Sequence, residues 1–364
     1  MSKSTIEIYE YNLPLVGPLH LGHKNVLTNR PGLIIKIGRD DRKVGYGDIA
    51  PLPGFSPESF EEAREAAIRW ADYALELMKS NDELNDEEVL QSLTATPSVL
   101  FGAECAALAL AYAAGATFSD GLFSKTRRYV SINGYINGPV DRALEKAQFL
   151  HDNGYVAAKV KVGRQSVKQD AEMVREVLKI VGDQIELRLD ANRAWEYEDA
   201  VEFARAIEGI RIAYIEEPLA DPSKLEKFAK TTGMNVALDE SIAEGLFEED
   251  FLQNKPWAHA VILKPTLLGG TRTAEDWAAE ALECGLKPVV SSCFESGVGL
   301  IALAHLAAII TEEDIPAGLD TYDWLAEDLL ARRFQAHNGK LDLAELDECV
   351  KTIQFDRMEC IYSA

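Results

Sequence analysis

The first third of the chain combines short β-type patterns with two helical patterns. Residues 6–12 and 32–48 carry alternating or β-branched apolar residues separated by Asn, Pro and Gly, which predicts antiparallel strands of a small sheet. Residues 57–78 begin with a proline and acidic residues in the opening turn, and residues 97–114 are apolar and rich in alanine. Both segments are predicted helices, so this region is predicted to form an α+β unit.

After residue 129 short apolar runs alternate with helical patterns of about ten to fifteen residues, which is typical of parallel βαβ units. Eight such strands in about two hundred residues suit a closed barrel better than an open sheet. The predicted strands are residues 130–135, 156–161, 185–189, 212–215, 235–238, 260–263, 288–290 and a weaker one at 317–319. The predicted helices between them include residues 141–151, 167–181, 198–207, 271–284 and 299–310.

These patterns divide the chain into three parts. A length of 364 residues fits one barrel-sized domain with a smaller companion. We predict an N-terminal α+β domain over residues 1–122 and a barrel over residues 123–320. Residues 321–364 have too little regular pattern for a domain, so we expect them to pack back on the N-terminal unit.

Composition and charge narrow the functional classes. The formal net charge of −23 repels phosphate backbones and anionic lipids, so we expect no nucleic-acid partner and no membrane partner. The five cysteines are scattered without a CxxC pair, which argues against zinc or redox chemistry. No apolar leader follows Met1, and we expect a cytoplasmic protein. The patterns do not fix an oligomeric state.

Charged residues end five consecutive strands of the predicted barrel. The carboxyl ends of parallel barrel strands open on one face, where barrel active sites lie. From the second of these strand ends onward the charges recur every 23 to 26 residues, about one βα repeat, so neighbouring strands supply one site. The strand-final charged residues are Lys159, Lys161, Asp190, Glu216, Asp239 and Lys264.

Three of these residues predict a metal site. Asp190, Glu216 and Asp239 would repel one another unless they shared a divalent cation. Mg²⁺ fits best, with Mn²⁺ as the alternative, because no histidine or cysteine ends these strands. Any single acid could be an ordinary solvated loop residue, but five charged strand ends in register argue against that interpretation.

The lysines predict proton transfer. Lys159 and Lys161 lie two apart on one strand and point the same way, so their charges lower each other's pKa and one can act as a base. The alternative is that both extend into solvent. Lys264, across the ring, can hold charge against the other face of a substrate. This arrangement suits removal of a proton α to a carboxylate, followed by either reprotonation or loss of a β-leaving group.

Together these motifs resemble the enolase superfamily, in its muconate-lactonizing subgroup, over nearly the whole chain. The resemblance implies an α/β fold: a modified (β/α)7β TIM-type barrel with an N-terminal α+β capping domain. It also implies that Asp190, Glu216 and Asp239 bind Mg²⁺. In this family pattern Lys161 acts as base and then as acid, and Lys264 stabilises the enediolate.

A finer resemblance is carried by the segments PLPGF at 51–55, RLDANRAW at 188–195, SSCFES at 291–296 and GLDT at 318–321. It points to the branch that dehydrates a succinyl-hydroxycyclohexadiene carboxylate to an aromatic product in menaquinone biosynthesis. A small-molecule carboxylate is therefore the expected substrate. The loop at residues 15–27 corresponds to a mobile specificity loop, and we expect its His20 and His23 to be solvated. The substrate-contacting positions implied are Lys159, Arg188, Asn192, Ser291, Ser292 and Gly318.

Three other functions remain open at this point. Racemases of N-acylamino acids and dipeptide epimerases use the same paired lysines, but the epimerases carry a DxD signature where this chain has Ala317-Gly318-Leu319-Asp320 and lacks the first acid. Muconate cycloisomerase is a less favoured alternative, because the matches at Arg188 and Ser291 point to the dehydrating branch instead. An inactive, metal-stabilised binding protein is disfavoured because all five central charged positions are intact.

Overall fold

The computed structural model describes residues 4–21, 25–39, 43–80, 96–113, 127–244, 251–312 and 315–364. Its strands are β1 Ser4–Leu21, β2 Asn25–Arg39, β3 Lys43–Ile49, β4 Tyr129–Ser131, β5 Gly134–Ile136, β6 Ala157–Lys161, β7 Glu186–Asp190, β8 Tyr214–Glu216, β9 Val236–Leu238, β10 Ala258–Leu263, β11 Lys287–Val290, β12 Lys340–Asp342 and β13 Glu359–Ser363. Its α-helices are α1 Phe60–Ser80, α2 Pro97–Ala113, α3 Val140–Asp152, α4 Val167–Val181, α5 Tyr197–Ala206, α6 Leu225–Thr232, α7 Glu240–Glu244, α8 Pro265–Leu268, α9 Thr271–Glu283, α10 Gly297–Ile310 and α11 Leu343–Val350.

The N-terminal strands form an antiparallel sheet in the order β13-β1-β2-β3, with α1 and α2 on one face. Alternate residues along β1 are buried because side chains of a strand alternate between its faces. In β2, the consecutive residues Leu33, Ile34 and Ile35 are all buried, so both faces of this strand are covered. Gly45 and Gly47 let α2 lie close to β3, since a Cβ at either position would collide with a carbonyl of the helix. The core between sheet and helices includes Ile6, Ile8, Leu33, Ile35, Ala63, Ala67 and Val99.

The larger sheet is parallel, in the order β11-β10-β9-β8-β7-β6-β5. Two parallel bridges close it into a ring, Ser291 with Gly318 and Ile132 with Ala317. The Gly318 amide donates to the Val290 carbonyl at 2.8 Å, and the Ala317 amide donates to the Ser131 carbonyl at 2.8 Å. The weak strand predicted at residues 317–319 is therefore the eighth member of the ring. The expectation of a modified barrel with an N-terminal α+β unit is confirmed.

The structure corrects the first predicted barrel strand. Residues 130–135 are two short strands, because β4 leaves the ring to pair antiparallel with β12 from the tail while β5 stays in the ring. The sequence interpretation also missed the short helices α6, α7 and α8 and the tail helix α11. Helices of four to eight residues show too few turns for a helical period to stand out.

The last strand, β13, joins the N-terminal sheet by pairing with β1. The domain limits at residues 122 and 320 stay predictions, and residue 122 lies outside the described residues. Within the described ranges, no helix combines the length and apolar character needed to cross a membrane.

Candidate active site

A cleft lies at the carboxyl ends of the barrel strands, with about 680 Å³ of space when the part open to solvent is included. Its floor is polar and comes from the barrel, whereas part of its wall is apolar and comes from the N-terminal unit. Leu19 and Leu21 of β1 and Phe55 of the loop after β3 provide that apolar wall. The cleft therefore lies between the two units of the fold.

Strand register brings the charged residues together. Lys161 on β6 lies opposite Asp190 on β7, and Asp190 lies opposite Glu216 on β8. Each strand ends at its charged residue, so three neighbouring strands place their last side chains at the same level of the ring. Asp239 directly follows β9 and continues the series.

Lysines and carboxylates form close ion pairs in this site. The Lys161 ammonium lies 2.6 Å from Asp190 Oδ2, and the Lys264 ammonium lies 2.5 Å from Asp239 Oδ2. The Lys159 ammonium lies between two acids, 3.2 Å from Glu216 Oε2 and 3.4 Å from Asp190 Oδ2. Every cation at the cleft floor thus has a buried carboxylate partner.

Burial and charge shift the pKa values of these groups in different directions. Burial alone would lower the pKa of Lys159, but Glu216 and Asp190 outweigh it and raise the pKa well above its usual value. Burial raises the pKa of Glu216 to about 8 despite Lys159. For Asp190, the neighbouring lysines outweigh burial and lower the pKa. The carboxylates beside Lys159 thus shift its pKa in the direction opposite to the one expected from the two paired lysines.

The carboxylates suit a hard divalent cation in their chemistry. Asp190, Glu216 and Asp239 offer only oxygen donors, the ligands that Mg²⁺ and Mn²⁺ prefer. The Lys159 ammonium already lies as a shared cation between two of them, which shows that this pair accommodates positive charge. In the described part of the chain, no three His, Cys, Asp or Glu side chains form a ready-made metal cage. The three acids supply suitable donor atoms on neighbouring strands, but lysine ammoniums lie among them in this arrangement.

Most of the predicted substrate contacts line the cleft. Lys159, Asn192, Ser291, Ser292 and Gly318 all do so. The Asn192 side chain accepts a short hydrogen bond from Lys161 and donates to Glu240 Oε1 at 3.1 Å. The Ser292 hydroxyl is hydrogen bonded to Thr321 Oγ1 at 2.7 Å.

Arg188 is not among the residues lining the cleft. It is two residues before Asp190 on β7, so its side chain points the same way but lies one layer deeper in the barrel. Its guanidinium donates to the Pro316 carbonyl at 2.7 Å and to Asn133 Oδ1 at 3.1 Å. Arg188 therefore lies beneath the cleft, and its role as a substrate contact stays a prediction.

The sequence interpretation missed a supporting carboxylate. Glu217 is fully buried and adopts a positive φ of 36°, which turns the chain sharply after β8. Its Oε1 accepts hydrogen bonds from the amides of Asp239 and Ser241, at 3.1 and 2.9 Å. Glu217 thereby fixes the turn that presents Asp239. Its place directly after Glu216 was the available signal.

Other residues that the sequence interpretation did not assign to the site lie around the rim. Arg164, in the turn after β6, is exposed and lines the cleft, and its guanidinium reaches the His20 carbonyl at 3.5 Å. His20 itself lines the cleft and is exposed, while His23 lies outside the described residues. Tyr135 and Phe294 are edge-to-face, with ring centroids 6.4 Å apart. Asp320 also lines the cleft, and its carboxylate pairs with Lys146.

Comparison with protein families extends this picture to both units. Residues 142–346 match the family described as Enolase C-terminal domain-like, and residues 3–110 match MenC, N-terminal domain. An o-succinylbenzoate synthase of Pectobacterium atrosepticum is 34% identical over 331 residues, covering 90% of this chain and 93% of that protein. One of Salmonella newport is 35% identical and covers 86% and 90%. The chain belongs to the o-succinylbenzoate synthase family of the enolase superfamily.

Solved structures of the superfamily share the fold of this family member. Muconate lactonizing enzyme from Pseudomonas fluorescens superposes with a TM-score of 0.75 at 22% identity, covering 98% of this chain and 95% of that structure. A dipeptide epimerase from Enterococcus faecalis, solved with Mg and the dipeptide L-Leu-L-Tyr, superposes with a TM-score of 0.79 at 21% identity, covering 94% and 97%. Enzymes of the superfamily generally use a divalent metal ion.

Proposed function

We propose that this family member is a hydro-lyase that converts 2-succinyl-6-hydroxy-2,4-cyclohexadiene-1-carboxylate to o-succinylbenzoate in menaquinone biosynthesis, with Mg²⁺ as its metal. The observation that carries the proposal is the pair of lysines facing one cleft. Strands β6 and β10 lie four positions apart in the ring of eight, so Lys161 and Lys264 reach the cleft from opposite walls. Between them, β7, β8 and β9 supply three carboxylates.

Lys161 has the position of the base. Asp190 and Asn192 both accept from its ammonium, so they hold the side chain toward the centre of the ring. In its neutral form Lys161 removes the proton α to the substrate carboxylate, and the electron pair of the broken C–H bond passes into that carboxylate to give an enediolate. The ring C–O bond then breaks on the same face. The departing hydroxide takes the proton back from Lys161 and leaves as water, and the ring becomes aromatic.

Lys264 holds charge on the other side. Its ammonium is almost buried and its pKa is raised, because Asp239 and Glu240 outweigh the effect of burial. It therefore stays protonated and can stabilise negative charge that develops on the substrate. Asp190, Glu216 and Asp239 would hold Mg²⁺, or Mn²⁺ in its place, and the bound ion supplies further electrophilic stabilisation of that charge.

The remaining walls orient the ring and exclude water. Leu19, Leu21 and Phe55 offer apolar surface over a floor that is otherwise charged. Ser291 and Ser292 lie beside the eighth strand and offer hydroxyl groups at the opposite rim. A low-polarity cover strengthens the electrostatic interactions below it. The arrangement suits a flat ring with a carboxylate at one end.

A direct assay tests the proposal. Purified protein with Mg²⁺ should dehydrate the cyclohexadiene substrate with a kcat/KM orders of magnitude above its value for epimerisation of dipeptides. The reason is that a buried substrate ammonium needs a free carboxylate partner, and Asp320 is paired with Lys146. Comparable efficiency on both substrate classes would favour the epimerase alternative, and activity on neither would favour a binding protein.

A further inference from the structure

One acid lines the cleft apart from the candidate metal-binding group. Asp320 follows the eighth strand, which faces β8 across the ring of eight. Its side chain is 11% exposed and borders the same cleft as Lys161. A bound substrate with one end at the acids of β7 to β9 therefore extends its other end toward the wall that contains Asp320.

The charge of Asp320 is balanced from outside the ring. Lys146 of α3 lies 2.9 Å from Asp320 Oδ2, and the Tyr135 amide donates to the same oxygen at 2.8 Å. The Lys146 ammonium also lies 5.1 Å from the centre of the Phe149 ring, and its side chain is 26% exposed. Lys146 does not itself line the cleft. It acts on the cleft only through the carboxylate that it pairs with.

The ion pair between Lys146 and Asp320 determines whether a charged group of the substrate can lie against this wall. An unpaired, nearly buried carboxylate would repel a second carboxylate of the substrate and attract an ammonium group. With Lys146 in place the charge of Asp320 is neutralised, so an anionic arm can lie against this wall. The succinyl carboxylate of the proposed substrate is such an arm.

We propose that Lys146 is a specificity-determining residue, which lets the cleft accept a dicarboxylate by neutralising Asp320. The inference rests on the proposed function for the identity of the substrate. It concerns a residue that has no contact with the reacting atoms, so Lys146 is a positioning and charge-balancing residue.

The first test is Lys146→Met, which keeps the length of the side chain and its packing on Phe149 but removes the charge. We expect KM for the cyclohexadiene substrate to rise about tenfold, with a much smaller change in kcat, because the effect is on binding of the remote arm. Calorimetry should show the Kd of o-succinylbenzoate rising in parallel. Inhibition by the dipeptide L-Ala-L-Glu, which carries an ammonium, should become tighter.

Three further variants distinguish an electrostatic effect of Lys146 on the cleft from a purely structural role of its ion pair with Asp320. Lys146→Met combined with Asp320→Asn should restore KM to within about threefold of the original value, because the unpaired charge is gone. Asp320→Asn alone should lower KM, since Lys146 then leaves net positive charge. Arg142→Met is the matched control on the same helix, because Arg142 is exposed and pairs with Glu145 at 3.3 Å, and it should change neither constant.

The outcomes are distinct. An unchanged KM and Kd in Lys146→Met, a fall confined to kcat, or a double variant no better than the single one would each overturn the inference. If Lys146→Met does not fold, a rise in KM for Asp320→Asn alone would overturn it equally. Failure of the proposed function is a separate result, namely the absence of dehydration by the unmodified protein.

Discussion

Two buried clusters of charge in this protein are balanced in opposite ways. The mouth cluster pairs charge with charge at the strand ends, and consists of Lys159, Lys161, Asp190, Glu216, Asp239 and Lys264. The seam cluster lies where the N-terminal sheet meets the loop after β11, and consists of Tyr11, Arg30, Asp48 and Ser296. There each charge is met by neutral hydrogen-bonding groups.

Arg30 shows the difference most clearly. It is fully buried, yet its guanidinium donates to five backbone carbonyls, including Pro51 at 2.7 Å and Phe294 at 3.0 Å. Fixed carbonyl dipoles satisfy its hydrogen-bonding groups, while the buried acids Asp48 and Glu295 interact with it through charge alone. At the mouth, by contrast, removal or addition of one charge changes the balance of all the others. The seam cluster therefore joins the two units, whereas the mouth cluster can change its charge balance when a ligand binds.

The largest expected effect separates the two lysines of the mouth. Lys161→Ala should reduce dehydration to background, because every proton transfer in the proposed reaction passes through Lys161. Lys264→Ala should lose about a thousandfold in rate, since it removes only stabilising charge from a site poor in water. Both should still bind Mg²⁺.

A substrate analogue with the α hydrogen but no leaving group distinguishes the roles. Followed for deuterium uptake in heavy water, Lys264→Ala should keep some exchange and Lys161→Ala none. Exchange that survives only in Lys161→Ala would make Lys264 the base.

Metal removal is the next test of the mouth. Exhaustive chelation should abolish turnover, and Mg²⁺ or Mn²⁺ should restore it. Because a ligand that binds only the folded state stabilises it, added Mg²⁺ at a hundred times its Kd should raise the free energy of unfolding by about 2.7 kcal/mol. Full activity in metal-free protein would contradict the assignment of the three acids.

A matched pair of variants tests which acid is the ligand. Asp239→Asn should weaken Mg²⁺ binding more than Glu240→Gln, because the Glu240 carboxylate is directed to Asn192 Nδ2 at 3.1 Å. Calorimetric titration of both variants gives the comparison, and the reverse order would place the ligand at Glu240.

The mouth was predictable from the sequence and the seam was not. Strand-final charges repeat with the βα unit, so the placement of Lys161 and Asp190 follows from local periodicity and the geometry of a parallel barrel. Arg30 meets the Cys293 carbonyl 263 residues away along the chain, and no local pattern encodes such a contact. The same reason explains why the local pattern predicts a single strand over residues 130–135, since the partner of β4 comes from the tail.

Substitutions in the seam cluster should lower the free energy of unfolding more than substitutions in the mouth cluster, whereas the mouth cluster has the larger effect on activity. Arg30→Met leaves five carbonyls without their donor, so we expect the free energy of unfolding to fall by about 3 kcal/mol or more. Asp239→Asn should change it by less than about 1 kcal/mol, because losing the Lys264 pair is offset by less repulsion from Glu240. Urea titrations measure both.

Added guanidinium chloride at low, non-denaturing concentration provides a control for Arg30. In Arg30→Ala it should recover part of the lost melting temperature by filling the same carbonyl cradle, and it should not do so for the unmodified protein. No recovery, together with a loss below 1 kcal/mol in Arg30→Met, would show that the seam does not depend on this charge.

The last prediction concerns Asp48, the acid of the seam. Its Oδ2 accepts from both the amide and the hydroxyl of Ser296 at 2.8 Å, and Ser296 is the N-cap of α10. Its Oδ1 accepts from Tyr11 at 2.7 Å. Burial raises the pKa of Asp48, and the hydrogen bonds from Tyr11 and Ser296 oppose that rise. Asp48→Asn keeps the shape but replaces one accepting oxygen with a donor, so one side of this three-bond bridge is lost.

We expect Asp48→Asn to lower the free energy of unfolding by about 1–2 kcal/mol, the usual cost of losing a buried cap near a helix N-terminus. Glu62→Gln is the matched control, because Glu62 accepts from the amide and hydroxyl of Ser59 in the same manner but at the exposed start of α1. Water can replace the lost acceptor there, so its effect in the same urea titration should be clearly smaller. Equal losses in the two variants would mean that the Asp48 bridge acts as an ordinary helix cap and contributes nothing to joining the sheet to the barrel.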